Sequence, residues 1–182
     1  MSNAQVARLR KHFPTNIYPS ISTCLIDHKG FAATILICCA IDTLSSYATS
    51  NPTKQGNKKK FMSFVEKYFP SIYDSEQFYK IVRCGLVHSF NMESTYTILC
   101  SKENWVQELH FSKPKGFNEI ILNPFTLLGH LKKAHKAFVT DLENDIELRK
   151  IFSKIYNINS IVKQHTRVFK ALKKVSKQGS LC

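Results

Sequence analysis

Arg83 and His88 stand five residues apart in the stretch Arg83-Cys84-Gly85-Leu86-Val87-His88, otherwise almost wholly apolar. Arginine supplies a permanent cation, and histidine is the side chain that titrates nearest neutrality. Together they suit RNA cleavage without a metal. A base takes the proton from a 2′-hydroxyl, and fixed positive charge meets the negative charge that gathers on the phosphate in the transition state. Five residues turn an α-helix by about 500°, which places the two side chains about 140° apart around the axis and off a common face. Two arrangements answer that geometry: the helix ends near Gly85 and His88 swings back, or a second copy of the chain completes the site.

Asp42 closes the longest apolar run, Phe31 to Ile41. A carboxylate there must be paired or solvated, because an isolated buried charge costs several kcal/mol. Arg83 is the expected partner, with Asp42 orienting the guanidinium for phosphate; in the other reading Asp42 ends its helix and faces water. His130 and His135 lie beside Lys132, Lys133 and Lys136 on a long helix, either as a phosphate-facing surface or as a solvated basic face. His110 falls on an alternating stretch with no partner visible. The six cysteines show no Cys-x-x-Cys spacing, and Cys38 and Cys39 point in different directions on a helix, so they read as core residues. No metal or cofactor is expected.

The elements that position these residues are mostly helical. Ser2 to Phe13 reads as a short helix ended by Pro14, and Ile17 to Asp27 is ambiguous. Gly30 to Tyr47 is apolar all round, the pattern of a helix at the centre of a bundle. Thr49 to Asn57 is a loop by composition, and Lys58, Lys59 and Lys60 lead into a helix with Phe61, Phe64, Val65 and Tyr68 at helical spacing, stopped by Pro70. Asp74 and Gln77 signal the start of the Arg83 helix. Its apolar face is Phe78, Ile81, Val82, Gly85 and Leu86, with Gly85 expected at a close helix approach despite a helix cost of about 1 kcal/mol.

After Ser89 the pattern becomes alternating. Thr95 to Cys100, Trp105 to Phe111 and Phe117 to Leu122 read as three strands of a small antiparallel meander. Asn123-Pro124 then starts a helix with the stripe Phe125, Leu128, Leu131, Phe138 and Leu142, and a further helix carries Ile146, Ile151, Phe152 and Ile155.

The chain has 182 residues and a formal net charge of +13, enough length for one domain with a sizeable core. No acidic residue occurs from Arg149 to Cys182. Such a basic stripe marks a polyanion partner or a solubilising tail. Within Ser160 to Cys182, hydrophobic residues at helical spacing alternate with cations that include Lys170, Lys173 and Lys174. That amphipathic pattern suits RNA or packing on the bundle better than an anionic membrane, since Phe169 is its one large aromatic. Met1 to Ala4 lack the basic-then-apolar order of a targeting peptide, and Phe31 to Ile41 is about half the length a bilayer core needs. The expected compartment is the cytoplasm, with a single domain over residues 1–158 and a basic tail over 159–182.

The segment from Phe78 to Phe90, with its Arg-x4-His core, resembles the signature of the HEPN superfamily. The element order over Gly30 to Phe152, and in particular Cys38 to Leu44 and Arg83 to Ser89, is similar to HEPN-like bacterial proteins. The resemblance implies a helical bundle of four to five core helices and a homodimer in which two motifs form a composite site. It also implies metal-independent cleavage of single-stranded RNA to a 2′,3′-cyclic phosphate, in a defence or toxin-antitoxin setting with an antitoxin or larger effector as partner. Arg83 and His88 would be catalytic, Asp42, Cys84 and Ser89 supporting, and Lys58, Lys59, Lys60, Lys132, Lys133, Lys136 and the tail lysines would hold RNA. Well-described members often carry Asn or Asp after the arginine, where this chain has Cys84. A non-catalytic HEPN-like module that binds RNA, a nucleotide or a protein is therefore the second reading, and an all-helical interaction protein with a coincidental motif the third.

Overall fold

A computed structural model describes residues 3–49, 56–92 and 95–156. From its N-terminal end, α1 (Asn3–His12) passes through a π-helical turn at Phe13–Ile17 into α2 (Tyr18–Ile26). Pro14 does not end the helix. It is the second residue of the π turn that opens at Phe13, an early position at which proline's missing N–H is tolerated.

α3 (Gly30–Tyr47) and α4 (Asn57–Tyr68) follow, the latter ending where Phe69 turns extended before Pro70. One turn, α5 (Ser75–Gln77), is capped by the Asp74 carboxylate, which accepts from the Gln77 amide at 3.0 Å. It opens into a π-helix over Phe78–Ser89 that carries Arg83 and His88. Beyond it come β1 (Tyr96–Ile98), α6 (Asn104–Glu108), β2 (Ile120–Leu122), α7 (Pro124–Asn144) and α8 (Ile146–Ile155).

The core lies around α3, which touches α2, α4, α7, α8 and the motif π-helix. Ile37, Ile41 and Leu44 from α3 meet Phe61 and Phe64 from α4, Phe78, Val82 and Leu86 from the π-helix, and Leu131, Phe138 and Leu142 from α7, all buried. Each such side chain stabilises the fold by about 1.5–3 kcal/mol. α3 is not enclosed on every side, however: Phe31, Leu36 and Cys39 are exposed on its outer face. By length and composition it could cross a membrane, and half of it is buried inside the protein.

The region after the motif differs from the expected antiparallel meander. β1 and β2 pair in parallel, Tyr96 opposite Ile120 and Ile98 opposite Leu122, and Trp105 to Phe111 is not a strand. Asn104–Glu108 is helical, burying Val106 and then His110 four residues on, while Trp105 stays exposed. A parallel pair needs a crossover of about a dozen residues or more, and the connection through α6 supplies it. Gly30 seats α3 against this unit, since a Cβ there would fall 2.9 Å from Cys100 Cβ and from Ile98 Cγ2.

α7 begins as expected, with Asn123 Oδ1 accepting from the Phe125 amide at 2.9 Å and Pro124 at the first helical position. α8 is capped by Asp145, which accepts from the Glu147 and Leu148 amides. Ile146, expected on the apolar stripe of α8, is instead exposed at the first turn of that helix. The tail from residue 159, with Lys170, Lys173 and Lys174, and residues 50–55 of the Lys-rich loop region lie outside the described residues.

Candidate functional site

The π-helix decides where His88 goes. Its i→i+5 hydrogen bonding stacks a residue nearly over the one five positions earlier, instead of leaving it well around the axis as an α-helix does. Arg83 and His88 consequently do share a face: Arg83 Nη1 lies 3.1 Å from His88 Nε2. The expectation of a 140° separation is corrected by the helix type, and with it the geometric need for a second chain to bring the two groups together. A guanidinium can only donate, so Nε2 is the accepting nitrogen in this contact and the ring proton sits on Nδ1.

The same guanidinium is gripped from the other side by Asp42. Arg83 Nε and Nη2 donate to Asp42 Oδ2 at 3.0 Å and 2.9 Å, joining α3 to the motif helix. Only 13% of the Arg83 side chain and 27% of that of Asp42 is exposed. Burial pushes the Asp42 carboxyl above its ordinary value, against the pull of Arg83. Burial also opposes the Arg83 cation, but the Asp42 hydrogen bond and charge outweigh it and the net shift is upward. Arg83 is thus a fixed cation whose orientation is set by a carboxylate.

Two further side chains complete the surroundings. The Tyr79 ring lies 5.5 Å from the Arg83 guanidinium carbon, within cation–π range. Cys84 is half-buried beside Arg83, its sulfur 3.8 Å from Nη1. Tyr79 is a site residue not expected from the sequence, although its position four residues before Arg83 on a helix is a usable signal. Ser89 is exposed at the end of the π-helix, next to Phe90, whose backbone is left-handed. Phe90 stacks on Phe31 with centroids 6.0 Å apart, and both rings are exposed.

The other sequence candidates separate into different places. Lys58 is paired with Glu76, Lys59 is exposed, and Lys60 is buried, so the three do not act together as an open phosphate-binding loop. His130 and His135 do not lie on a solvated face. Tyr73 Oη sits 2.8 Å from both His110 Nε2 and His130 Nδ1, while Tyr18 Oη sits 2.8 Å from His135 Nδ1. His110 Nδ1 accepts from the Asn123 amide at 2.9 Å, which makes its Nε2 the donor to Tyr73. Burial lowers His110 to about 3 and His135 to about 4, and it lowers His130 as well, with help from Lys133. Cys38 is a core residue, whereas Cys39 is exposed. Among the described residues no group of three or more metal-ligating side chains is gathered.

No protein-family model, curated protein or solved structure matches this chain.

Proposed function

We propose that the protein is a metal-independent endoribonuclease of HEPN type, acting on single-stranded RNA in the cytoplasm. The observation that carries the reading is the 3.1 Å contact between Arg83 and His88, with Arg83 held by Asp42. A base and a fixed cation at this separation can serve one phosphodiester: the base at the 2′-hydroxyl, the cation at the non-bridging oxygens. An incoming phosphate takes over Arg83 Nη1, and His88 Nε2 is thereby released as proton acceptor. The nucleophilic 2′-oxygen attacks phosphorus, its proton passes to His88, and the 5′-oxygen leaves with a proton returned by the histidine. The products are a 2′,3′-cyclic phosphate and a 5′-hydroxyl. No water is consumed.

The mainly helical fold is compatible with a HEPN-like bundle. A homodimer with both motifs near one interface is part of the proposal, and the exposed Phe31 and Phe90 beside the motif support it, since paired exposed rings suit contact with a second surface. The test is cleavage of labelled single-stranded RNA by the wild type, Arg83→Ala and His88→Ala, with circular dichroism to confirm that each folds. Loss of cleavage in both folded variants supports the reading, and retained cleavage in both rules it out.

A second reading is favoured by one feature. All three guanidinium nitrogens of Arg83 are already engaged, two by Asp42 and one by His88. Such engagement favours a non-catalytic HEPN-like module that binds RNA, a nucleotide or a protein partner, with Arg83 as a phosphate anchor and His88 structural. Salt-sensitive RNA binding without cleavage would establish it.

A further inference from the structure

Two cavities lie end to end along the edge formed by α1, α7 and α8. One, of about 410 Å³, is lined by residues that include Asn3, Val6, Arg10 and Arg149. The other, of about 500 Å³, is lined by Tyr18, Lys132, Lys136 and Val139 among others. Arg10 and Glu143, which form an ion pair, line both, so the pair is a sill between two halves of one groove. Lys132 and Glu143 are eleven residues apart on α7, about 16 Å along the helix.

The groove carries four cations, Arg149, Arg10, Lys136 and Lys132, against a single carboxylate that one of them already neutralises. Arg149 is held in place by the Leu142 carbonyl, which accepts from its Nε at 2.8 Å. At the other end the Lys132 ammonium lies 5.5 Å from the centroid of the Tyr18 ring. That ring is anchored by the hydrogen bond of its hydroxyl to His135, itself stacked on Phe13 at 4.5 Å. His135, read from sequence as part of a basic face, thus works as the buttress of an aromatic wall.

A concave track of cations with a fixed aromatic at one end is the arrangement that follows a single nucleic-acid strand: charge along the backbone, a ring for a base. An anionic membrane would be met by a convex basic face with protruding aromatics. We infer that this groove binds a single-stranded nucleic acid through its phosphates, with Lys132 and Lys136 on the backbone and Tyr18 beside a base. It is a holding site whose lining shares no residue with the Lys58–Lys60 segment. The inference takes its ligand class from the RNA reading and its geometry from the groove alone.

Binding is read separately from cleavage with a labelled single-stranded DNA of about 12 nucleotides, within the range one such site covers. Lacking the 2′-hydroxyl, it cannot be cut by the proposed chemistry. Fluorescence anisotropy across salt concentrations compares the wild type, Lys132→Ala/Lys136→Ala, and the control Lys113→Ala/Lys115→Ala, whose lysines are exposed elsewhere. The groove variant is expected to bind about tenfold more weakly at low salt and to lose about 1.4 from the slope of log K against log salt, two phosphates' worth for a single strand. The control should match the wild type. Wild-type affinity in the groove variant, or an equal loss in the control, overturns the inference. So does wild-type binding to anionic phosphatidylserine vesicles without binding to the oligonucleotide. Groove-dependent binding without RNA cleavage leaves this inference standing while the nuclease reading fails, and cleavage without groove-dependent binding does the reverse.

Discussion

Gly85 and Asn91 meet backbone to backbone: a Cβ on Gly85 would fall 2.2 Å from the Asn91 carbonyl oxygen. The Gly85 carbonyl in turn accepts from the amides of both Phe90 and Asn91, the latter at 3.1 Å, so the chain folds back over the glycine as the π-helix ends. The close approach expected of Gly85 is therefore to its own returning chain and not to a neighbouring helix. Gly85→Ala forces backbone apart and should cost about 1–3 kcal/mol, the range for overpacking. Urea denaturation measures the loss, and RNA cleavage should fall with it because His88 is carried on the displaced segment. Unchanged stability would mean that the returning chain is not held where it is described.

Asp42 is the second point of leverage. Removing it with Asp42→Ala leaves a mostly buried guanidinium without its carboxylate, and the expected loss is about 2 kcal/mol, below the fully buried case because both ends reach some solvent. Asp42→Asn retains an oxygen acceptor and should lose less. The sign of the pH dependence follows from the raised Asp42 carboxyl. Its protonation favours the folded state, so the stability it contributes is present at low pH and declines as pH rises through its folded value. In both variants NMR of the His88 ring should report a changed environment. Identical ring signals in Asp42→Ala and the wild type would show that Asp42 does not position the pair.

Acid should weaken the fold through the three internal histidines. The pKa values of His110 and His135 are lowered from 6.5 to about 3 and about 4 by burial, and that of His130 is lowered in the same sense. Below the unfolded value the unfolded chain binds protons that the fold refuses. Stability present above pH 6.5 is therefore lost as pH falls toward the folded values, by up to about 1.4 kcal/mol per pH unit for each histidine. Thermal melts should show a lower Tm at pH 5 than at pH 7.5. A Tm that is flat or rises over that interval would contradict the buried, neutral placement.

These histidines also show where sequence reasoning stops. Their partners are far away in the chain: Tyr73 is 37 residues from His110 and 57 from His130, and Tyr18 is 117 from His135. Spacing beside lysines suggested a basic face, but only tertiary packing determines which polar side chains go inward. Local signals served better. Asp74 and Asn123 cap helices where their side chains have nearby amides to accept from, and Pro70 follows the end of α4. Over 12 residues the wider turn of the π-helix shows only as the buried trio Phe78, Val82 and Leu86 at intervals of four, a spacing that an α-helix also accommodates, so the shared face of Arg83 and His88 was not legible although both residues were. The middle of the expected meander misled for a related reason, because Val106 and His110 satisfy helical spacing only once a histidine is allowed on the buried face.

Arg83 and His88 are proposed to act together on one RNA phosphodiester. The most direct measurement is incubation of the purified chain with end-labelled single-stranded RNA in excess EDTA, with mass analysis of the product ends. Fragments ending in 2′,3′-cyclic phosphate and 5′-hydroxyl are expected from the wild type and not from Arg83→Ala or His88→Ala. Intact RNA with the wild type, or the same fragments from both variants, would contradict it.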